Sequence, residues 1–269
     1  MVAAAELRDL TVEEEIEVER AEQKLLKACM AEKGFPYWEI PVPVVDERRA
    51  GLYVMDDVRW AKKYGYGRVF QEKAEKIRLT HPTVTYQNKL PKEKRAAYSR
   101  ALDGDWRDAM KVELPGDVGT VETPRGGCAN EARKKLYGDP ETWFVARRTV
   151  TGLMPLYVPE VMKDKSFTVS LKKWSSCMTD AGRPFVNPDK LREQRTLRTE
   201  GMPSAEAHEF DTELAVIDAT CAKETSLAEI THSLETKYRA KALKRYGKEH
   251  VDYRKMRLHA LAEAKQILS

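Results

Sequence analysis

Four cysteines, Cys29, Cys128, Cys177 and Cys221, carry the most constrained chemistry in the chain. Four thiols can form two disulfides, stay as buried free thiols, hold a zinc ion or supply a thiolate nucleophile. Residues 29–37 read Cys-Met-Ala-Glu-Lys-Gly-Phe-Pro-Tyr and residues 177–185 read Cys-Met-Thr-Asp-Ala-Gly-Arg-Pro-Phe. The shared pattern, Cys-Met-x-x-x-Gly-x-Pro-aromatic, is an internal repeat signal. The other two cysteines also open matching stretches, Cys128-Ala-Asn-Glu and Cys221-Ala-Lys-Glu. The order is therefore motif, partner, motif, partner. Four cysteines allow three pairings, and the repeat selects Cys29–Cys128 and Cys177–Cys221. Buried free thiols are the alternative that needs least, since cysteine is among the most buried residue types. A four-cysteine zinc site ordinarily brings a closely spaced pair, which this sequence lacks. No cysteine has the flanking residues of a known nucleophile, so the expectation is two disulfides.

Other chemistry is sparse. The five histidines (81, 208, 232, 250 and 259) form no His-Glu-x-x-His or other i, i+4 histidine pair, so no metal site is expected. Neither a Gly-x-Ser-x-Gly elbow nor a phosphate-binding glycine loop is present, and no cofactor is expected. The one stretch with binding character is residues 59–70, where Trp60, Tyr64, Tyr66 and Phe70 interleave with Arg59, Lys62, Lys63 and Arg68. Such a set can clamp an anionic or sugar-like ligand. Equally, Trp60 and Tyr64 at i, i+4 can bury together as core. Tyr37 and Trp38, after the first motif, stand as either packing or the wall of a cleft. The candidate ligand-binding set is thus Tyr37, Trp38, Trp60, Tyr64, Tyr66 and Arg68, meeting in a cleft between two lobes.

The elements that must position these residues are mostly helical. Residues 10–33 read as one amphipathic helix with an acidic first half. Leu25, Leu26, Cys29 and Met30 fall at helical spacing, Gly34 suits a helix stop and Pro36 forbids continuation. Leu171, Trp174, Cys177, Met178, Gly182 and Pro184 repeat this over residues 164–181. Each motif cysteine then lies about one turn before a helix stop, and each partner near the start or middle of another helix. Residues 35–55 are expected to be extended, 56–79 helical in two pieces broken at Gly65 and Gly67, and His81-Pro82 a loop. Pro91 opens a short helix that ends before Gly104. A hairpin turns at Pro115-Gly116-Asp117, flanked by 111–114 and 119–122. Helices carrying Cys128 (to Gly138) and starting at Pro140 follow. Phe210, Leu214, Ile217, Cys221, Leu227, Ile230 and Leu234 form one long apolar stripe, and a last helix runs from near Gly247 to about Leu268. The fold class is mainly α: an irregular helical single domain over 1–269, with repeat-like lobes at about 20–150 and 165–269, one short β-hairpin and two disulfides.

Charged residues make up 33% of the 269-residue chain, yet the net charge is only +4. That balance gives no general affinity for nucleic acid, and no apolar run is long enough to span a membrane. Residues 1–10 carry charges where a secretory signal has its apolar stretch. Residues 206–235 hold eight acids and one base, and residues 237–257 nine bases and two acids. These read as helix faces that attract each other or the acidic N-terminal helix, or else as a patch for a partner protein.

The motifs resemble a class of actinobacterial exported proteins, many of them lipoproteins, which carry Cys-Met-x-x-x-Gly, an aromatic-and-proline segment and a second cysteine downstream. Tyr64-Gly-Tyr-Gly67, Gly127-Cys-Ala-Asn-Glu-Ala132, Leu136-Tyr-Gly-Asp139 and Trp174-x-x-Cys177-Met178 are similar to a two-copy branch of that class. The resemblance implies export and disulfides, and no activity. The leading functional expectation is a non-catalytic, extracytoplasmic binding or accessory protein, secreted or anchored through a segment outside this sequence, for a small molecule, peptide or partner protein. One alternative is a hydrolase or transferase with a dispersed acid/histidine site. Another is a structural protein that binds a partner through its charged C-terminal helices. The alternative address is the cytoplasm.

Overall fold

The computed structural model describes residues 7–269. The beginning of the charged segment 1–10 lies outside them. In chain order the elements are α1 (Val12–Glu32), α2 (Val45–Arg48), α3 (Val58–Tyr64), α4 (Arg68–Thr80), α5 (Pro82–Lys89), α6 (Lys92–Asp103), β1 (Asp105–Glu113), β2 (Thr120–Arg125), α7 (Gly127–Tyr137), α8 (Pro140–Thr151), α9 (Met154–Lys163), α10 (Lys165–Asp180), α11 (Pro188–Thr199), α12 (Ser204–Glu224), α13 (Leu227–Leu243) and α14 (Gly247–Leu268). The fold is mainly α with one antiparallel hairpin, paired from Glu113–Thr120 to Asp105–Arg125 with a bulge between Asp105 and Ala109. No described helix is long and apolar enough to cross a membrane.

Both disulfides expected from the repeat are present, Cys29–Cys128 and Cys177–Cys221, each with its Cα atoms 5.6 Å apart. The free-thiol, zinc and nucleophile readings of these cysteines are thereby excluded. The two motifs end their helices in the same way. After α1, the Gly34 N–H donates to the Ala31 carbonyl and the Phe35 N–H to Met30; after α10, Gly182 donates to Thr179 and Arg183 to Met178. This Schellman closure needs a residue with positive φ, supplied by Gly34 at 79° and Gly182 at 73°. Met30 and Met178 are fully buried beside their cysteines. The partners differ. Cys128 sits in the first turn of α7, as expected, but Cys221 lies in the last turn of α12 rather than near its start or middle.

The chain forms two compact units that do not follow chain order. Unit 1 takes the residues up to Val45, Glu75–Pro155 and Ala242–Ser269; unit 2 takes Asp46–Ala74 and Leu156–Lys241. The last helix therefore belongs with the first motif, and the segment after Val45 with the second. In unit 1, α1 lies against α14 through fully buried Ala21, Ala260 and Ala264, with Val18, Leu136 and Leu261 around them. Small residues at that seam let the helices approach closely. Arg257 donates to Glu15, and Arg254 to Asp9 at 2.8 Å, so these two basic residues of the last helix answer acids of the N-terminal region. Met30, Tyr37, Tyr98 and Cys128 form a second cluster in the same unit.

Unit 2 is built around α12, whose buried face carries two acids. Asp211 is completely buried and accepts from Arg195 at 2.6 and 2.8 Å and from Arg68 at 2.9 Å. Asp218 accepts from the Trp174 indole N–H at 2.9 Å and the Tyr66 hydroxyl at 3.1 Å. Burial pushes the Asp218 carboxyl up to about 6, although both donors pull it down. The turn between α3 and α4 makes this possible. At Gly65 (φ 58°) an added Cβ would stand 3.0 Å from the Asp211 Cβ, so only glycine lets the turn come that close to α12.

Several expectations needed correction. His81-Pro82 is not a loop: His81 caps α5, its Nδ1 accepting from the Thr83 N–H at 3.4 Å, and Pro82 occupies the first helical position, where a missing N–H costs little. Residues 45–48, expected extended, form the single turn α2. The long apolar stripe is two helices, because Ser226 adopts φ 52° and closes α12 before buried Leu227 starts α13. No glycine or proline marks that break. Helices α9 and α11 had no counterpart in the sequence reading.

The disulfides close loops of 99 and 44 positions, which chain entropy converts to about 4 to 5 kcal/mol each at most. Thiol titration of the denatured, unreduced protein should find no free thiol, and reduction should lower the midpoint of urea unfolding. A midpoint indifferent to reduction would mean the bridges do not stabilise the fold. A second expectation concerns pH. Asp218 binds its proton more tightly folded than unfolded, so its stabilising contribution is complete below about pH 4 and is lost as pH rises through about 6, costing about 3 kcal/mol at neutral pH. Asp218→Asn keeps one acceptor for Trp174 and offers an amide to the Tyr66 oxygen. Urea unfolding should show the wild type losing stability relative to this variant between pH 5 and pH 7.5; parallel profiles would contradict the assignment.

Candidate functional site

Unit 1 contains a cavity of about 540 Å³ that is partly open to solvent, within the size range of small-molecule sites. Four helices supply its walls through helical spacing. From α1 come Glu15, Val18, Glu19, Glu22 and Gln23; from α7, Arg133 and Tyr137; from α8, Trp143, Arg147 and Thr151; from α14, Tyr253 and Arg257. The proline-containing segment 40–43 forms one rim. The Gln23 amide oxygen accepts from the Tyr37 hydroxyl and from the Ile40 N–H, both at 2.9 Å, which holds that rim against α1.

Local sequence explains the aromatic wall. Tyr137 is the last residue of α7, Gly138 ends that helix, Asp139 caps α8 by accepting from the Thr142 N–H at 2.8 Å, and Pro140 is its first residue. The short reversal stacks Tyr137 on Trp143, ring centroids 3.7 Å apart and nearly parallel; Tyr253 stacks with Trp143 at 5.5 Å, and the Arg257 guanidinium lies 5.0 Å from the Tyr253 ring. One guanidinium and three rings thus form a ladder in which the rings engage one another face to face.

Their polar ends are different. Among the described residues, no protein hydrogen bond engages the Tyr137 and Tyr253 hydroxyls, the Trp143 indole N–H, the Gln23 amide NH2 or the Arg147 guanidinium. All five can donate, and the two phenol oxygens can also accept. Burial raises both tyrosines above their ordinary range, with Arg147 and Arg257 opposing it. Glu22 has Arg133 at 3.7 Å, beyond hydrogen-bond reach. Burial lifts its carboxyl above the ordinary range, Arg133 and Arg147 oppose this, and Glu19 adds to it.

The residues singled out from sequence lie elsewhere, and all but Trp38 have their side-chain polar groups engaged within the protein. Trp60, Tyr64 and Phe70 pack together in unit 2, with Trp60 and Tyr64 centroids 5.3 Å apart. The Trp60 indole donates to the Asp46 carbonyl at 3.2 Å and the Tyr64 hydroxyl to the Asp46 carboxylate at 2.8 Å. Tyr66 and Arg68 hold the acids of α12. Tyr37 is core in unit 1 and acts one step behind the cavity, through Gln23. Trp38 is exposed beside Tyr86, its backbone clipped to the Thr83 hydroxyl. Neither unit gathers the six into one site. No family model, curated protein or solved structure matches this chain.

The sequence carried a signal for the actual cavity. Arg133–Tyr137, Trp143–Arg147 and Tyr253–Arg257 each pair an aromatic with an arginine at i, i+4, and all three pairs face the same space. The contrast between engaged and open hydroxyls is measurable. Tyr137→Phe and Tyr253→Phe should each leave the unfolding free energy within about 0.5 kcal/mol of wild type. Tyr66→Phe, which takes a donor from buried Asp218, should cost about 1–3 kcal/mol. Equal losses at all three positions would refute the distinction.

Proposed function

We propose that this is an extracytoplasmic binding protein whose ligand occupies the cavity of unit 1. The observation that carries this reading is the set of open donors on the cavity wall. Polar groups on an ordinary packed surface find protein partners or bulk water, whereas these belong to side chains that line one recess beside a rigid aromatic ladder. The aromatic rings are already stacked, so the wall is formed before a ligand arrives and little ordering remains for binding. The address rests on the two disulfides, which persist in oxidising compartments, and agrees with the resemblance to exported actinobacterial proteins.

A catalytic reading draws on one observation. Glu22, partly buried beside Glu19 with a raised carboxyl, has the character of a proton donor. The binding reading is preferred because neither the stacked rings nor the arginines supply a nucleophile.

Native mass spectrometry with pooled small polar compounds tests the choice. At least one compound should be retained by the wild type and lost from the Tyr137→Phe/Tyr253→Phe double variant, which keeps the fold. A bound compound should also raise the melting temperature in step with its concentration. Retention unchanged in the double variant would move binding away from this cavity. Conversion of the retained compound would favour the catalytic reading.

A further inference from the structure

We infer that the ligand of this cavity is a small, oxygen-rich organic anion whose carboxylate or phosphate group is anchored by Arg147. This deepens the binding reading above and rests on it. The argument is an inventory of what the cavity offers and to whom. Its open groups are mostly donors: two phenol hydroxyls, an indole N–H, an amide NH2 and a guanidinium, against one open acceptor side chain, the Glu22 carboxylate. A ligand that satisfies them presents acceptors, so hydroxyl, ether or carboxylate oxygens fit and a hydrocarbon does not. Stacking leaves ring edges and polar tips for the ligand, and this disfavours a flat aromatic or a quaternary ammonium, both of which require an open ring face.

Charge narrows the class further. Arg257 is engaged by Glu15, and Arg133 faces Glu22 at 3.7 Å. Arg147, four residues after Trp143 on α8, is exposed and makes no hydrogen bond or ion pair among the described residues. A guanidinium presents a planar fork of donors that matches carboxylate and phosphate oxygens. Among the described residues, Arg147 is therefore the wall cation ready to take an anion without breaking a hydrogen bond or ion pair.

Glu22 is the counterpart. It is faced by Arg133 and Tyr137 from α7, by Arg147 from α8 and by Glu19 on its own helix, with Tyr37 also interacting with it and the Glu15–Arg257 pair lining the same cavity two turns earlier on α1. An anion seated on Arg147 offsets one of the two cations that favour the ionised form of Glu22. Binding then draws a proton onto Glu22, which turns a repelling carboxylate into a further donor. The equilibrium takes up one anion and up to one proton together, so affinity rises as pH falls.

The Trp143 indole resonance, identified with Trp143→Phe, reads the site in nitrogen-correlated spectra of the full chain. Glucuronate, glucose 6-phosphate and citrate are the anionic probes; glucose and glucosamine are the neutral and cationic controls. At least one anion should shift this resonance at millimolar concentration, and the ranking of glucuronate against glucose 6-phosphate separates carboxylate from phosphate recognition. Affinity for that anion should rise as pH falls from 7.5 to 5.5, with proton uptake beyond the anion's own seen by calorimetry in two buffers of different ionisation enthalpy. Arg147→Ala should weaken it at least tenfold while leaving the melting temperature unchanged, and Glu22→Gln should abolish the proton uptake and flatten the pH dependence. Glucose or glucosamine binding in preference to every anion would overturn the anion assignment and leave the binding reading intact. No response to any probe would also overturn it, while the pooled screen decides separately whether the cavity binds anything. Anion binding without proton uptake would remove the role of Glu22.

Discussion

The junction between the end of α1 and the start of α7 governs unit 1. Cys29 lies one turn before the stop of α1 and Cys128 in the first turn of α7. Their bond fixes the end of one helix against the beginning of the other. Everything that lines the cavity from these two helices, with Glu22 and Gln23 on one and Arg133 and Tyr137 on the other, takes its position from that covalent corner. The Schellman closure after α1 adds direction. It turns the chain so that Tyr37 and Ile40 come back along α1 and meet Gln23. One bond and one helix stop thus set two walls and the rim.

Unit 2 uses the same helix stop and the same staple for a different end. Its α12 buries two carboxylates, and the polar tips that surround them, from Tyr66, Arg68, Trp174 and Arg195, are all engaged there. Breaking a buried pair leaves a charge without a partner, which is costly. This network therefore specifies one packing of α12 against the turn at Gly65 more than it adds net stability. Unit 1 puts its partly buried acid beside an open recess instead. The two units show one scaffold device serving a sealed core in one place and an accessible hollow in the other.

What could be read from sequence follows the range of the interactions. The motif helices were legible because their signals are local: apolar spacing before the cysteine, glycine at the stop, proline beyond it. The pairing was legible because the sequence repeats. For the stretch Trp60–Arg68 the sequence leaves a ligand clamp and packed core both open because its partners are remote; Tyr66 meets Asp218 across 152 positions and Arg68 meets Asp211 across 143. Composition shows an aromatic-rich basic stretch and cannot show which acids it is folded onto. The cavity stayed hidden for the same reason, since its walls come from α1, α7, α8 and α14. Its three aromatic–arginine pairs at i, i+4 were each visible but unconnected. The split of the long stripe at Ser226 was illegible because a serine in the left-handed region leaves no mark in the hydrophobic pattern.

The contact of α1 with α14 joins Arg257 to Glu15 across 242 positions of chain. Contacts of such separation form late, since the intervening loop must close first. Until then α1 displays the apolar face of Val18 and Ala21 with nothing from α14 to cover it. A newly made chain must therefore wait in an incomplete state. That delay is an asset to a polypeptide that has to be threaded through a translocation pore, and a hazard to one that meets a protease first.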